Sequence, residues 1–112
     1  TKWSTLVVEN KPGDVVVNTK KRVTAFETTD LDLVMRALGK DVMVITGIMT
    51  NCCDLCTAYY AGSKDYKVIL CFDMTRGSNP SDEAAAGLMF SRYIGLNTNS
   101  EELLREWHAQ KA

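Results

Sequence analysis

Three of the four cysteines in this 112-residue chain fall within five positions, in the stretch TGIMTNCCDLCTAYYAG (46–62). Thiols grouped in this way can hold a metal, exchange a disulfide, attack a carbonyl or simply fill space. Structural zinc needs four ligands, and beyond the pair Cys53-x-x-Cys56 only Cys71 and His108 are on offer. Disulfide exchange favours Pro or Gly inside C-x-x-C, whereas here Asp54 and Leu55 intervene and the acidic neighbour disfavours thiolate. Cys52, Cys56 and Cys71 read as small apolar fillers. Cys53 reads differently because of where the surrounding elements put it.

VMVI (42–45) is an apolar run rich in branched residues, as expected of a strand buried on both faces. A helix is expected from about Cys53 to Ser63, with Cys53, Cys56, Thr57, Tyr60 and Ala61 on one face. A thiol in the first turn of such a helix meets backbone N–H groups without helical partners and the positive end of the helix dipole. These groups favour a thiolate and could also hold an oxyanion, so Cys53 is a candidate nucleophile.

The flanking sequence supplies the rest of an alternating pattern. KPGD (11–14) is a turn and VVV (15–17) a short strand. Thr29, with Asp32 three residues on, resembles a capping box; Leu31, Val34, Met35 and Leu38 share a helical face, and Gly39 suits a left-handed C-terminal residue. KVILCF (67–72) is another buried strand, Ser81 caps a helix over 82–93, an extended piece lies near Leu96, and Ser100 caps a last helix over EELLREW. Strands alternating with helices mean α/β: a three-layer, Rossmann-like parallel sheet with helices on both faces and right-handed crossovers. The cysteines sit at the carboxyl end of a strand, where such sheets collect their chemistry. So few strands leave long unpaired edges, as in the carboxyl-terminal half of a domain.

Composition narrows the classes. At 46% hydrophobic and 24% charged residues the chain is globular, and its length fits one domain, 1–112. Net charge is −1, and the only basic run is Lys20, Lys21, Arg22, so no footprint for nucleic acid or an anionic membrane is present. No apolar run reaches the length of a membrane span. Clustered cysteines are unlike a secreted disulfide scaffold, so free thiols and a cytoplasmic location are expected.

Three blocks resemble the isochorismatase-like cysteine hydrolases, the superfamily that includes nicotinamidases and N-carbamoylsarcosine amidase. They are DVVVNTKKRVTAFETTDLDLVMRALG (14–39), VMVITGIMTNCCDLCTAYYA (42–61) and YKVILCFDMT (66–75), the last followed by DEAAAGLMF (82–90). In the middle block Gly47, Thr50, Cys53, Thr57, Ala58 and Ala61 match the family signature in order. The resemblance implies that Cys53 is the nucleophile and Lys20 a fixed charge beside it, with Lys21 the fallback. It also implies a cis peptide at Ile48–Met49, with the Met49 and Cys53 backbone N–H groups holding the oxyanion. The activity implied is hydrolysis of a small amide or other C–N bond through a thioester, without a cofactor; vinyl-ether-cleaving relatives lack the cysteine.

Two departures stand out. The family's general base is an aspartate in an amino-terminal half that has no counterpart here, and the metal ligands of nicotinamidases lie in that half too, so no metal is assigned. Asp54 stands where the family commonly has an apolar residue, and is expected either to blunt Cys53 or to face solvent. The chain opens on Thr1 rather than Met, and an amino-terminal fragment of the same protein is the expected partner, with homo-oligomerisation besides. A nucleophilic Thr1 does not suit the α/β pattern. Phe26 and Tyr60 are candidates for lining a substrate pocket, each against a core role. The rival function is a non-catalytic subunit whose role is assembly.

Overall fold

A computed structural model describes residues 9–111, so Thr1 lies outside the described residues. In chain order the elements are α1 (Leu31–Ala37), β1 (Val42–Ile48), a π-helical turn (Thr50–Asp54), α2 (Leu55–Ser63), β2 (Lys67–Arg76), α3 (Pro80–Tyr93), β3 (Leu96–Thr98) and α4 (Ser100–Lys111). The strands form a parallel sheet in the order β1-β2-β3. The α/β alternation expected from the sequence is the architecture observed.

The core lies on one face of that sheet. Ile45, Val68 and Leu70 meet Ala58 and Ala61 of α2 and Phe90 of α3, with Met43, Leu55 and Phe72 packed at the margin. Ala58 and Ala61 are fully buried. Their small side chains let α2 approach closely, and this fixes which face it buries. That face is Asp54, Thr57, Ala58 and Ala61, not the expected set of Cys53, Cys56, Thr57, Tyr60 and Ala61. The expected phase fails because large Tyr60 would hold the helix off, and because Asp54 turns inward although charged.

The opposite face is thinly covered. α4 leaves a groove of about 410 Å³ lined by Val42, Val44, Ile69, Leu96, Leu103 and Trp107, among others. Val42 and Val44 are therefore exposed, correcting the expectation that VMVI is buried on both faces. β1 is also an edge: among the described residues its pairing is to β2 alone. For the same reason Val15–Val17 forms no strand. Among the described residues it pairs with no strand, and Val15 and Val16 face solvent while Val17 is partly buried.

Local signals fared unevenly. Pro12–Gly13 forms the expected turn, closed by the Asp14 N–H donating to the Lys11 carbonyl at 3.0 Å. Gly39 has φ +67°, and the Gly39 and Lys40 N–H groups donate to the Arg36 and Met35 carbonyls, a Schellman closure of α1. The expected caps are displaced by one or two residues. Asn79, not Ser81, accepts from the Asp82 N–H (2.9 Å), and Asn99, not Ser100, accepts from Glu102 (2.8 Å). Asp32 does not complete a capping box with Thr29. Its carboxylate instead accepts from the Tyr66 hydroxyl at 2.6 Å, which holds that carboxyl below the usual carboxylate range.

Gly95 shows how closely β3 enters beside β2: a Cβ there would meet the Val68 carbonyl oxygen at 2.1 Å. Gly95→Ala is expected to lower unfolding stability by about 1–3 kcal/mol, the usual range for overpacking. Urea denaturation reads this directly, and an unchanged midpoint would contradict the packing described.

Candidate active site

The site is built from two segments that meet across the surface of α2. One is the turn after β1. The Ile48–Met49 peptide is cis, as the family resemblance implies. The Met49 carbonyl then accepts from both Cys52 N–H (3.0 Å) and Asp54 N–H (3.1 Å). The second bond reaches back five residues and widens the turn, so that Cys53 leaves the buried face and stands partly exposed at the head of α2.

The second segment carries Lys20. It is tied to α2 by the Ala25 N–H donating to Thr57 Oγ1 at 3.0 Å. Phe26, 7% exposed, plugs into the core and stacks on Tyr66 with ring centroids 5.9 Å apart. With Ala25 and Phe26 anchored, Lys20 Nζ reaches Cys53 Sγ at 3.6 Å. The structure thus brings the expected nucleophile and the expected charge together. Phe26 has its core role. Tyr60 is 41% exposed on the outer side of α2. The groove under α4 and two smaller ones are not lined by Cys53, Lys20 or Tyr60.

Residues that sequence reasoning left without a role brace the turn. Buried Thr50 donates to Thr75 Oγ1 at 2.9 Å, and Thr75 donates to the Phe72 carbonyl at 2.8 Å, which fixes the turn to β2. Asn51 accepts from the Ser78 N–H at 3.1 Å and donates to Ser78 Oγ at 3.0 Å, which ties in the loop after β2. The signal for Thr50 and Thr57 was their place in the family signature; Asn51 and Ser78 gave none.

The remaining thiols and acids sort by environment. All four cysteines are free. Burial, and then the neighbouring Cys53, push the Cys52 thiol up; burial, and then the bond to Asp73, do the same for Cys71. Asp73 accepts from Ser100 Oγ (2.6 Å) and N–H (2.8 Å) at the head of α4, and these bonds hold its carboxyl down. Among the described residues no group of His, Cys, Asp or Glu is arranged to hold a metal ion, so Cys53, Cys56, Cys71 and His108 are not assembled into a site.

Asp54 does not face solvent, which was one of the two alternatives expected for it. It is 6% exposed, its Oδ2 has no hydrogen-bond partner, and burial pushes its carboxyl from 3.8 up to about 6. The folded state therefore holds this proton more tightly than the unfolded chain. Its contribution to stability is fully present below 3.8 and is lost as pH rises through about 6.

Known proteins resemble the chain over most of its length. Residues 2–105 match the isochorismatase domain model. The uncharacterized isochorismatase family protein YwoC of Bacillus subtilis is 37% identical over 107 residues, 93% of this chain and 56% of that protein. Ureidoacrylate amidohydrolase RutB of Methylobacterium radiotolerans is 36% identical over 78 residues, 70% of this chain and 30% of that one. The crystal structure of a cysteine hydrolase from Pseudomonas syringae pv. phaseolicola superposes with a TM-score of 0.84 at 26% identity, covering 90% of this chain and 52% of the other. The chain spans about half the length of YwoC and of this hydrolase, and less of RutB.

Asp54→Asn is expected to flatten stability between pH 3.8 and about 6, where the parent loses on the order of 1 kcal/mol through this group. Urea midpoints of both proteins across that window test this. Identical slopes would show that Asp54 ionises as freely in the fold as out of it. A free thiol at a helix head, a lysine ammonium against it and a match over residues 2–105 have one reading: this chain belongs to the isochorismatase family.

Proposed function

We propose that the chain carries the nucleophile of a hydrolase acting on a small amide or other C–N bond. The observation that carries this reading is the contact of Lys20 Nζ with Cys53 Sγ at 3.6 Å. That contact sets a positive charge and a hydrogen-bond donor directly against the sulfur that would attack. Relatives named amidohydrolase and cysteine hydrolase support the bond type and the nucleophile.

In the proposed reaction Cys53 sulfur adds to the carbonyl carbon, and the Met49 and Cys53 backbone N–H groups receive the developing oxyanion. Collapse of the tetrahedral adduct breaks the C–N bond. The amine or ammonia departs with a proton from a general acid, leaving an acyl thioester on Cys53. Water, relieved of a proton by the same group acting as base, then attacks the thioester and releases the acid and the thiolate.

The acid–base group is proposed to be a carboxylate from an amino-terminal portion of the protein. Asp54 is a poor candidate for that part because it turns into the α2 core face, away from solvent. The open edge of β1 and the apolar groove under α4 fit further chain packing there, from the amino-terminal portion and from a second copy. Free thiols fit a reducing compartment such as the cytoplasm. Among the described residues no helix is long and apolar enough to cross a membrane.

The test is release of ammonia from ureido acids and primary carboxamides, by the chain alone and by a protein that includes the amino-terminal portion. Cys53→Ala is expected to abolish turnover, a loss of about a thousandfold or more, and Lys20→Met to lower it by about ten- to a hundredfold. Full turnover by Cys53→Ala would overturn the proposal. Absence of turnover in every form would leave the assembly role as the better reading.

A further inference from the structure

Hydrolysis needs one sulfur, yet Cys52 and Cys56 flank it. Cys53 stands in the π-helical turn and Cys56 in the first turn of α2, and both are partly exposed. Helical geometry places Cα atoms three residues apart at about 5 Å, inside the roughly 4.4–6.8 Å range that a disulfide bridges. Adjacent Cα atoms are about 3.8 Å apart, outside that range, so Cys52, although its side chain interacts with Cys53, does not close an unstrained disulfide with it. Helix ends also deform at lower cost than helix interiors, which favours closure at this position.

We propose that Cys56 is a resolving thiol that converts peroxide-oxidised Cys53 into a reversible Cys53–Cys56 disulfide. The oxidant is hydrogen peroxide or an alkyl hydroperoxide. Cys53 thiolate attacks the peroxide, the O–O bond breaks, and sulfur becomes a sulfenic acid while hydroxide, or an alkoxide, leaves. Cys56 sulfur then attacks the sulfenic sulfur, the S–O bond breaks, and water departs with the Cys56 proton. Two thiols have lost two electrons in all, and a dithiol returns them by exchange.

Lys20 Nζ, 3.6 Å from Cys53 Sγ, sets a positive charge where hydroxide or alkoxide leaves in the peroxide step, and this makes Cys53 the sulfur to be oxidised first. Without a resolving thiol the sulfenic acid proceeds to sulfinic acid, which dithiols do not reduce. Capture by Cys56 therefore stops the oxidation at a recoverable stage. The consequence for activity rests on Cys53 being the nucleophile; the chemistry of the pair does not.

The protein as it stands is treated with a several-fold excess of hydrogen peroxide, so that a second oxidation is possible, then alkylated with iodoacetamide and mapped by peptide mass, before and after dithiothreitol. The expected result is a Cys53–Cys56 link, with both thiols alkylated again after reduction. In Cys56→Ser, Cys53 is expected to accumulate as sulfinic acid and to lose its label irreversibly. Sulfinic Cys53 without a link in the parent protein, or a link made through Cys52, would overturn the proposal. Because the readout needs no substrate, an inactive protein that forms the link refutes the hydrolase reading alone. An active protein that fails to form it refutes only the resolving role.

Discussion

The site depends on one hydrogen bond between segments distant in sequence, the Ala25 N–H donating to Thr57 Oγ1 on α2. Next to it Phe26 is packed into the core against Tyr66. Five residues upstream of Ala25 lies Lys20, which is exposed. The anchor holds the segment that sets the Lys20 charge at the head of α2. Losing the buried acceptor would leave the Ala25 amide unsatisfied, a cost of about 1–3 kcal/mol. It would also release the segment that delivers the ammonium.

The nucleophile's side of the site is set by competing demands on one turn. Ala58 and Ala61 draw α2 against the sheet, and Thr50 bonds the turn to β2. The widened turn then directs Cys53 outward and Asp54 inward. Exposure of the sulfur is thus coupled to burial of the next side chain. Asp54 bears the cost of that arrangement, with one carboxylate oxygen left unpartnered. Nearby, Asp73 looks at first like a spare acid at a strand end, but its bonds to Ser100 commit it to holding the start of α4.

Much of this was legible in the sequence, and the failures share a cause. Gly39, the Pro12–Gly13 turn and the parallel strands are specified by local chemistry or by runs of one residue class, and each was read correctly. The pairing of Lys20 with Cys53 was available only through the family signature, because 33 residues separate them. The face of α2 was misread because periodicity weighs hydrophobicity and not size. Tertiary packing kept Thr57 and Ala61 and preferred Ala58 and Asp54 to a tyrosine and two cysteines. The caps at Asn79 and Asn99 were missed because each neighbouring serine is an equally good capping residue by type. Val15–Val17 was read as a short strand and VMVI as a strand covered on both faces, but pairing and covering a strand take neighbours that these residues alone do not provide.

The central claim is that Lys20 holds Cys53 as the reactive sulfur of the cluster. Iodoacetamide alkylation rates at neutral pH, measured for each cysteine in the parent protein and in Lys20→Met, test it most directly. The account predicts that Cys53 reacts about tenfold or more ahead of Cys52, Cys56 and Cys71, and that Lys20→Met removes this lead while leaving the other three rates unchanged. Equal labelling of the four thiols, or a Cys53 rate indifferent to loss of the ammonium, would contradict it.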